Sequence, residues 1–292
     1  MTDTKFHPRR SCLYMPASNA RALEKAKTLA ADTIILDLED AVAPDAKIGA
    51  RDAACVALAE GGYGQREMVV RVNAMDTSWF TDDIKSICAS KADGILVPKI
   101  QNAADIVKIS EIIDREGAHG DLQLWAMIEM PIAVLNIARI AETASATRLT
   151  TFVMGFNDLA KEMRAEQDRT LFTPAIAQTI MAGRAFGVNI LDSVYNDFKD
   201  PEGFEQECRQ AKAFGFDGKT LIHPAQIDIA NREFAPHEDK ITEAMAIIAA
   251  FKDPANAGKG VITVNGKMTE LLHLQQAEET IALADAIAAA SQ

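Results

Sequence analysis

Eight short apolar runs rich in β-branched residues recur along the chain, and each one leaves on a polar or charged side chain. They cover residues 11–16, 33–38, 68–73, 94–99, 124–129, 150–155, 189–194 and 218–223. Amphipathic stretches at 20–31, 47–60, 79–90, 103–115, 132–143, 174–186 and 201–214 separate them. Strands that alternate with helices must pair in parallel, because each crossover returns the chain to the same end of the sheet. Eight such units in this length predict an α/β fold, the (β/α)₈ or TIM barrel. The rival, a doubly wound open sheet, would carry a glycine-rich turn after its first strand. Here that turn reads Met15-Pro-Ala-Ser-Asn19 and contains no glycine.

The polar residues are distributed unevenly. The expected strand starts, Ser11, Thr33, Met68, Gly94, Leu124, Thr150, Asn189 and Gly218, carry no charge. The exits read Asp37-Leu-Glu-Asp40, Arg71-Val-Asn73, Pro98-Lys99, Glu129, Gly155-Phe-Asn-Asp158, Asp192 and Ile222-His223-Pro224. A parallel barrel collects all its strand exits on one face, where sites of this fold are built.

After the eighth run the period breaks. A helix is expected at 236–251, a hairpin at 261–264 and 267–270 around Asn265-Gly266, and a last helix at 272–289. Asn-Gly between two short β-like runs is a strong hairpin signal. The organisation expected is a barrel at 1–225 and a helix–hairpin–helix arm or lid at 226–292 that packs on a neighbouring subunit.

A chain that is 48% hydrophobic and 25% charged can build a large core. Its formal net charge of −12 opposes general binding to nucleic acid or an anionic membrane surface, both of which need a basic face. The N-terminal stretch lacks the apolar centre of a signal peptide, no run is long enough to span a membrane, and the cytoplasm is the expected location. Cys12, Cys55, Cys88 and Cys208 are scattered without a C-x-x-C pair and are expected to be free thiols.

Glu129 and Asp158 leave adjacent runs five and six. Neighbouring strands lie about 4.8 Å apart, so two carboxylates there can converge on one cation. Two carboxylates, completed by water and substrate oxygens, describe a Mg²⁺ site. The plainer alternative is that each acid is paired structurally with Arg71 or Lys99. Asp37, Glu39 and Asp40 form a second acidic group, suited to holding water on the metal and needing cations beside it. Arg71, central on the exit face, is suited to gripping a substrate carboxylate. Lys99 could form an imine, but acidic surroundings raise a lysine's pKa where that chemistry needs it lowered. His223 is open to either an acid–base or a packing role. Asn19, Arg21, Lys25 and Lys27 place positive charge at a helix start, which suits either phosphate groups or solvent.

The segments Arg10-Ser-Cys-Leu-Tyr-Met-Pro-Ala-Ser-Asn19, Ala31-Asp-Thr-Ile-Ile-Leu-Asp-Leu-Glu-Asp-Ala-Val42, Arg71-Val-Asn73, Leu96-Val-Pro-Lys99, Ile128-Glu129, Gly155-Phe-Asn-Asp-Leu159 and Gly215-Phe-Asp-Gly-Lys-Thr-Leu-Ile-His-Pro224 together resemble the citrate lyase β-subunit-like family. This is a branch of the HpcH/HpaI aldolase–citrate lyase superfamily. The resemblance runs from about residue 9 to the C-terminal helix. It implies a Mg²⁺-dependent barrel, with Mn²⁺ as a substitute, acting on a CoA thioester. The first expectation is a lyase that cleaves or forms a β-hydroxyacyl-CoA such as malyl-CoA or citramalyl-CoA, giving acetyl-CoA and a keto acid. The alternatives are a (3S)-malyl-CoA thioesterase and a citrate lyase β subunit that needs an acyl carrier or partner chains.

Carried over residue by residue, Glu129 and Asp158 match the metal ligands. Arg71, Asp37 and Glu270 are the catalytic candidates. Arg71, Asn19, Arg21, Lys25 and Gly155 are the candidate substrate and CoA contacts, with Glu39, Asp40 and Lys99 in support around the metal. The resemblance also implies a homotrimer or homohexamer. One departure stands out. Family lyases often carry an aspartate in the arm, whereas this chain reads Gly266-Lys-Met-Thr-Glu270. The extra methylene displaces the carboxylate, and a shift of about 1 Å can cost about 100-fold in rate.

Overall fold

The computed structural model describes residues 7–290. The first six residues, most of the stretch read for a leader, lie outside the described part. Each of the eight runs is a strand: β1 (Ser11–Pro16), β2 (Thr33–Asp37), β3 (Glu67–Arg71), β4 (Gly94–Val97), β5 (Gln123–Ile128), β6 (Leu149–Met154), β7 (Asn189–Asp192) and β8 (Gly218–Leu221). All pair in parallel in sequence order, and β8 closes onto β1. The expected (β/α)₈ barrel is therefore the fold.

Side chains alternate along each strand, so each strand serves two cores. Cys12, Ile35, Val69, Leu96, Trp125, Met127, Val153 and Leu191 fill the barrel interior, with Tyr14 packed on them. The outward set, including Leu13, Ile34, Leu36, Val70, Ile95 and Phe152, meets the surrounding helices. Asn102 and Asp105 close a reciprocal capping box on helix Ala103–Arg115. The helix expected at 132–143 is two, Pro131–Leu135 and Ile137–Glu142. Asn136 interrupts it with a non-helical backbone and donates its side-chain amide to the Gln101 carbonyl at 3.1 Å.

The strand starts are not uncharged as expected. β3 begins one residue earlier than the pattern suggested, at Glu67, and that residue is buried on the barrel floor. Arg9 grips Glu67 through two bonds of 2.7 and 2.6 Å, donates to Thr151 and Gln123, and lies 4.7 Å over the Trp125 ring. This floor needs Gly218, because a Cβ there would stand 1.8 Å from the Arg9 carbonyl oxygen.

The chain divides into two compact units, Arg9–Phe234 and a second from Ala235 onward. The division falls later than the 225/226 boundary expected from periodicity. Helix Ile227–Phe234 packs on β1, β8 and helix Pro201–Phe214. Its Asn231 accepts from the Ser11 hydroxyl and donates to the Ala30 carbonyl, both at 2.7 Å.

The second unit contains helix Glu238–Lys252, strands β9 (Val261–Val264) and β10 (Lys267–Glu270), and helix Leu271–Ala290. The turn between the strands has φ of 49° at Asn265 and 77° at Gly266, the backbone that Asn-Gly favours. Among the described residues no helix is long and apolar enough to cross a membrane. All four cysteines are free.

Candidate active site at the strand exits

The register Asp37↔Arg71 sets these two residues side by side, both pointing into the barrel. The Arg71 Nε and Nη2 donate to the two oxygens of Asp37 at 2.7 and 2.6 Å. The same carboxylate accepts the backbone N–H groups of Glu39 and Ala41 at 2.9 and 3.1 Å. Those bonds fold the chain after β2 back over the barrel mouth. Lys47 clamps that turn by donating to the carbonyls of Leu38 and Glu39 at 2.8 and 2.6 Å. Burial opposes ionisation of Asp37, but Arg71 and the two N–H groups outweigh it and hold its pKa below the usual carboxylate range. With four hydrogen bonds accepted, Asp37 positions Arg71 and has little capacity left for proton transfer.

The turn presents Glu39 and Asp40 to Arg71, whose Nη1 lies 3.0 Å from Glu39 Oε2 and 3.5 Å from Asp40 Oδ2. Burial works against the charge of Arg71, yet Asp37 first and then Glu39 keep it firmly protonated. Its guanidinium carbon lies 4.8 Å over the Tyr14 ring. Glu39 bridges onward, its other oxygen accepting from the Lys99 ammonium at 2.7 Å. That pairing outweighs burial and raises the Lys99 pKa, opposite to the need of an imine-forming lysine.

Lys99 also has φ of 55°, the left-handed region that side chains with a Cβ rarely adopt. The conformation turns its backbone N–H onto Glu129 Oε1 at 2.8 Å. Such strain, of order 1–3 kcal/mol, persists where the surroundings hold it and tends to mark functional sites.

Glu129 differs from the other acids. It is buried, and its Oε2 has no hydrogen-bond partner among the described residues. Burial first, and then the charges of Glu39 and Asp158, push its pKa up to about 8, with the Lys99 N–H and Arg71 opposing. Gly155, at the exit of β6, leaves room for it, since a Cβ there would lie 2.6 Å from that same oxygen. Asp158 stands in the first turn of helix Phe156–Met163, where the N-terminal end of the helix favours an anion. The Phe156 N–H donates to Ser193 Oγ at 3.0 Å and so anchors the start of that helix. No carboxylate bond or ion pair ties up Asp158 among the described residues.

Five carboxylates, Asp37, Glu39, Asp40, Glu129 and Asp158, thus gather at the mouth, and Arg71 and Lys99 make ion pairs with the first three. The two acids outside the ion pairs are Glu129 and Asp158. The plainer expectation, that both pair with Arg71 or Lys99, does not hold. Glu129 takes the backbone N–H of Lys99 while the ammonium goes to Glu39. A buried unpartnered carboxylate oxygen, room beside it and a second free acid fit a hard divalent cation that prefers oxygen ligands.

The remaining candidates lie elsewhere. Asn19 uses its side-chain oxygen to accept from Ala22 N–H and cap helix Ala20–Ala26, leaving its amide N–H₂ for a ligand. Arg21 and Lys25 are exposed one turn apart on that helix. Glu270 ends β10 in the second unit, its N–H donating to His273 Nδ1 at 2.9 Å. Asp192 does not join the site. It faces the helices, paired with Lys219 and Arg169 at 2.7 and 3.0 Å. Asn73 is buried and bonded to Asp83, and His223 accepts the Ala225 N–H while stacking on Phe198 at 4.5 Å. Tyr14 was not among the candidates, although its position two residues after Cys12 on β1 aims it inward. Burial, with Asp37, Glu129 and Glu39, keeps its phenol protonated against the pull of Arg71.

A closed parallel barrel with a charged cluster at its strand exits is the architecture of a (β/α)₈ enzyme. Residues 10–224 match the model of the HpcH/HpaI aldolase/citrate lyase family, and the chain belongs to that family. It is 49% identical over 285 residues, 97% of both chains, to a protein of Cereibacter sphaeroides named (3S)-malyl-CoA thioesterase. It is 34% identical over 277 residues to the citrate lyase subunit beta of Escherichia coli, covering 92% of this chain and 91% of that one. Among solved structures, the protein CitE from Mycobacterium tuberculosis, in complex with magnesium, acetoacetate and coenzyme A, matches with a TM-score of 0.73 at 27% identity. That match covers 94% of this chain and 97% of the other.

Proposed function

We propose that this barrel hydrolyses the thioester of a β-hydroxyacyl-CoA of the (3S)-malyl-CoA class, with a divalent cation held by Glu129 and Asp158. The observation that carries the site is the pair of acids left outside the ion-pair network, one of them with a buried oxygen that has no partner among the described residues. The donor set suits Mg²⁺, with Mn²⁺ as a substitute. The 49% relative supports hydrolysis over the C–C cleavage favoured by the family resemblance alone. So does Glu270, standing where family lyases often carry aspartate. C–C lyase chemistry is the second reading, supported by the citrate lyase subunits at 34% identity.

When bound, the cation would supply Lewis-acid polarisation and a template for oxygens of the acyl group. The chain's own residues do the rest. Arg71, kept charged and held in one orientation by Asp37, is the proposed anchor for the carboxylate of the acyl group. Glu39 and Lys99 hold the orientation of Arg71 and Glu129. Gly155 keeps space open beside Glu129. Arg21 and Lys25, with the free amide of Asn19, are the proposed contacts for CoA phosphates. Glu270 is assigned on sequence grounds as the carboxylate that takes a proton from the attacking water. The working form is proposed to be a homotrimer or homohexamer.

The test is one incubation with malyl-CoA and Mg²⁺ in which free thiol and glyoxylate are measured together. Hydrolysis releases thiol and malate without glyoxylate. Glyoxylate formed in step with acetyl-CoA would replace this reading with the lyase, and absence of both products would remove the substrate class.

A further inference from the structure

Three buried side-chain atoms lack a hydrogen-bond partner among the described residues: Glu129 Oε2, the Tyr14 hydroxyl and Arg169 Nη2. The Arg169 atom belongs to the ion network outside the barrel, with Asp192 and Glu207. The other two lie in the barrel mouth. The Glu129 oxygen is accounted for by the cation site proposed above. The Tyr14 hydroxyl is not, and a buried polar atom left without a partner in a native fold calls for an explanation.

The ring of Tyr14 has a structural role of its own, packing on the interior core and lying under the Arg71 guanidinium at 4.8 Å. Phenylalanine would satisfy both contacts, since neither involves the hydroxyl. What the oxygen adds is a neutral donor and acceptor beside Arg71, Asp37, Glu39 and Glu129. A substrate carboxylate is matched there by Arg71. With the carboxylate assigned to Arg71, the phenol hydroxyl, which can both donate and accept, suits the remaining hydroxyl group of the acyl unit.

We propose that Tyr14 is a specificity-determining residue whose hydroxyl pairs with the hydroxyl group of the acyl substrate. This rests on the reading of the site as one for a β-hydroxyacyl thioester, and it assigns which residue selects the hydroxylated acyl group over its deoxy counterpart. A buried polar group that only the hydroxylated ligand can satisfy discriminates strongly against the ligand that lacks it.

Malate and succinate are suitable probes, because they differ by one hydroxyl and contain no thioester to cut. Their dissociation constants are measured by calorimetry on the full-length protein with saturating Mg²⁺ and CoA, for wild type and Tyr14→Phe. Wild type is expected to prefer malate by about tenfold or more. Tyr14→Phe should bring malate down to the level of succinate while leaving succinate binding and the circular dichroism spectrum unchanged. An undiminished preference in Tyr14→Phe overturns the inference, and so does an equal loss for both acids, which would mean the hydroxyl only supports the fold. If wild type shows no preference while malyl-CoA is still turned over, Tyr14 is overturned and the functional reading stands. If wild type binds neither acid and leaves malyl-CoA intact, both fall.

Discussion

Lys99 divides its two donors between two acids, its backbone N–H to Glu129 at 2.8 Å and its ammonium to Glu39 at 2.7 Å. The positive φ of Lys99 permits this split. Glu129 is oriented by an N–H group without gaining an ion-pair partner, and the Lys99 ammonium is drawn into the Arg71 network instead.

Replacing Glu129 by Gln, or Asp158 by Asn, should therefore remove metal affinity and turnover and leave the barrel folded. A loss of at least about tenfold in Mn²⁺ affinity is expected, read by electron paramagnetic resonance alongside the circular dichroism spectrum. Full activity of either variant at limiting Mg²⁺ after chelation would show that the metal lies elsewhere.

The raised pKa of Glu129 gives a pH dependence with a definite sign. In the metal-free fold the group titrates near 8, above the ordinary value of 4.5, so between these limits the folded state holds the extra proton. Its contribution to stability is present at low pH and lost as pH rises through about 8. A bound cation replaces that proton. The melting-temperature difference between Mg²⁺-loaded and chelator-treated protein should widen steadily from about pH 5.5 to about pH 8.5. A constant difference across that window would contradict the assignment.

Gly155→Ala places a methyl group 2.6 Å from Glu129 Oε2 and 2.7 Å from its Cβ. The Glu129 side chain must move, and the variant should lose metal affinity by about tenfold or more while folding normally. Gly120→Ala is the control, because a Cβ there meets nothing within 4 Å. Equal behaviour of the two variants in a Mn²⁺ titration would argue against the cradle.

The barrel floor predicts the opposite pattern. Glu67→Ala strands the buried Arg9 guanidinium and should cost about 3–5 kcal/mol in urea unfolding. The activity of the molecules that remain folded should stay within about twofold of wild type, since the floor lies at the end of the barrel away from the site. A large loss of kcat at full folding would mean that the floor and the mouth are coupled.

Much of this was legible in the linear chain. All eight strands, the Asn265-Gly266 hairpin and the adjacency of β5 and β6, after which Glu129 and Asp158 follow, come from periodicities of two and 3.6, from strand order and from turn chemistry. Asp192 misled because its neighbour Leu191 takes the inward position, and a one-residue difference reverses the face a side chain occupies. Glu67 was missed for a similar reason, as it lay one residue outside the expected start of β3. Tyr14 was readable from its alternation with Cys12, but an aromatic on a strand gives no sign of what its hydroxyl will meet.

The chain by itself determined that it would close into a barrel and that Asp37, Glu39, Asp40, Glu129 and Asp158 would follow strand exits at one end, because hydrophobic alternation and strand order dictate parallel pairing. Only the tertiary structure decided which acids are paired. Asp37, Glu39 and Asp40 converge on Arg71, and Lys99 turns its N–H to Glu129, because strands far apart in sequence bring those groups within hydrogen-bond distance. Coulombic pairing depends on distance in space, and that distance exists only once the barrel has closed.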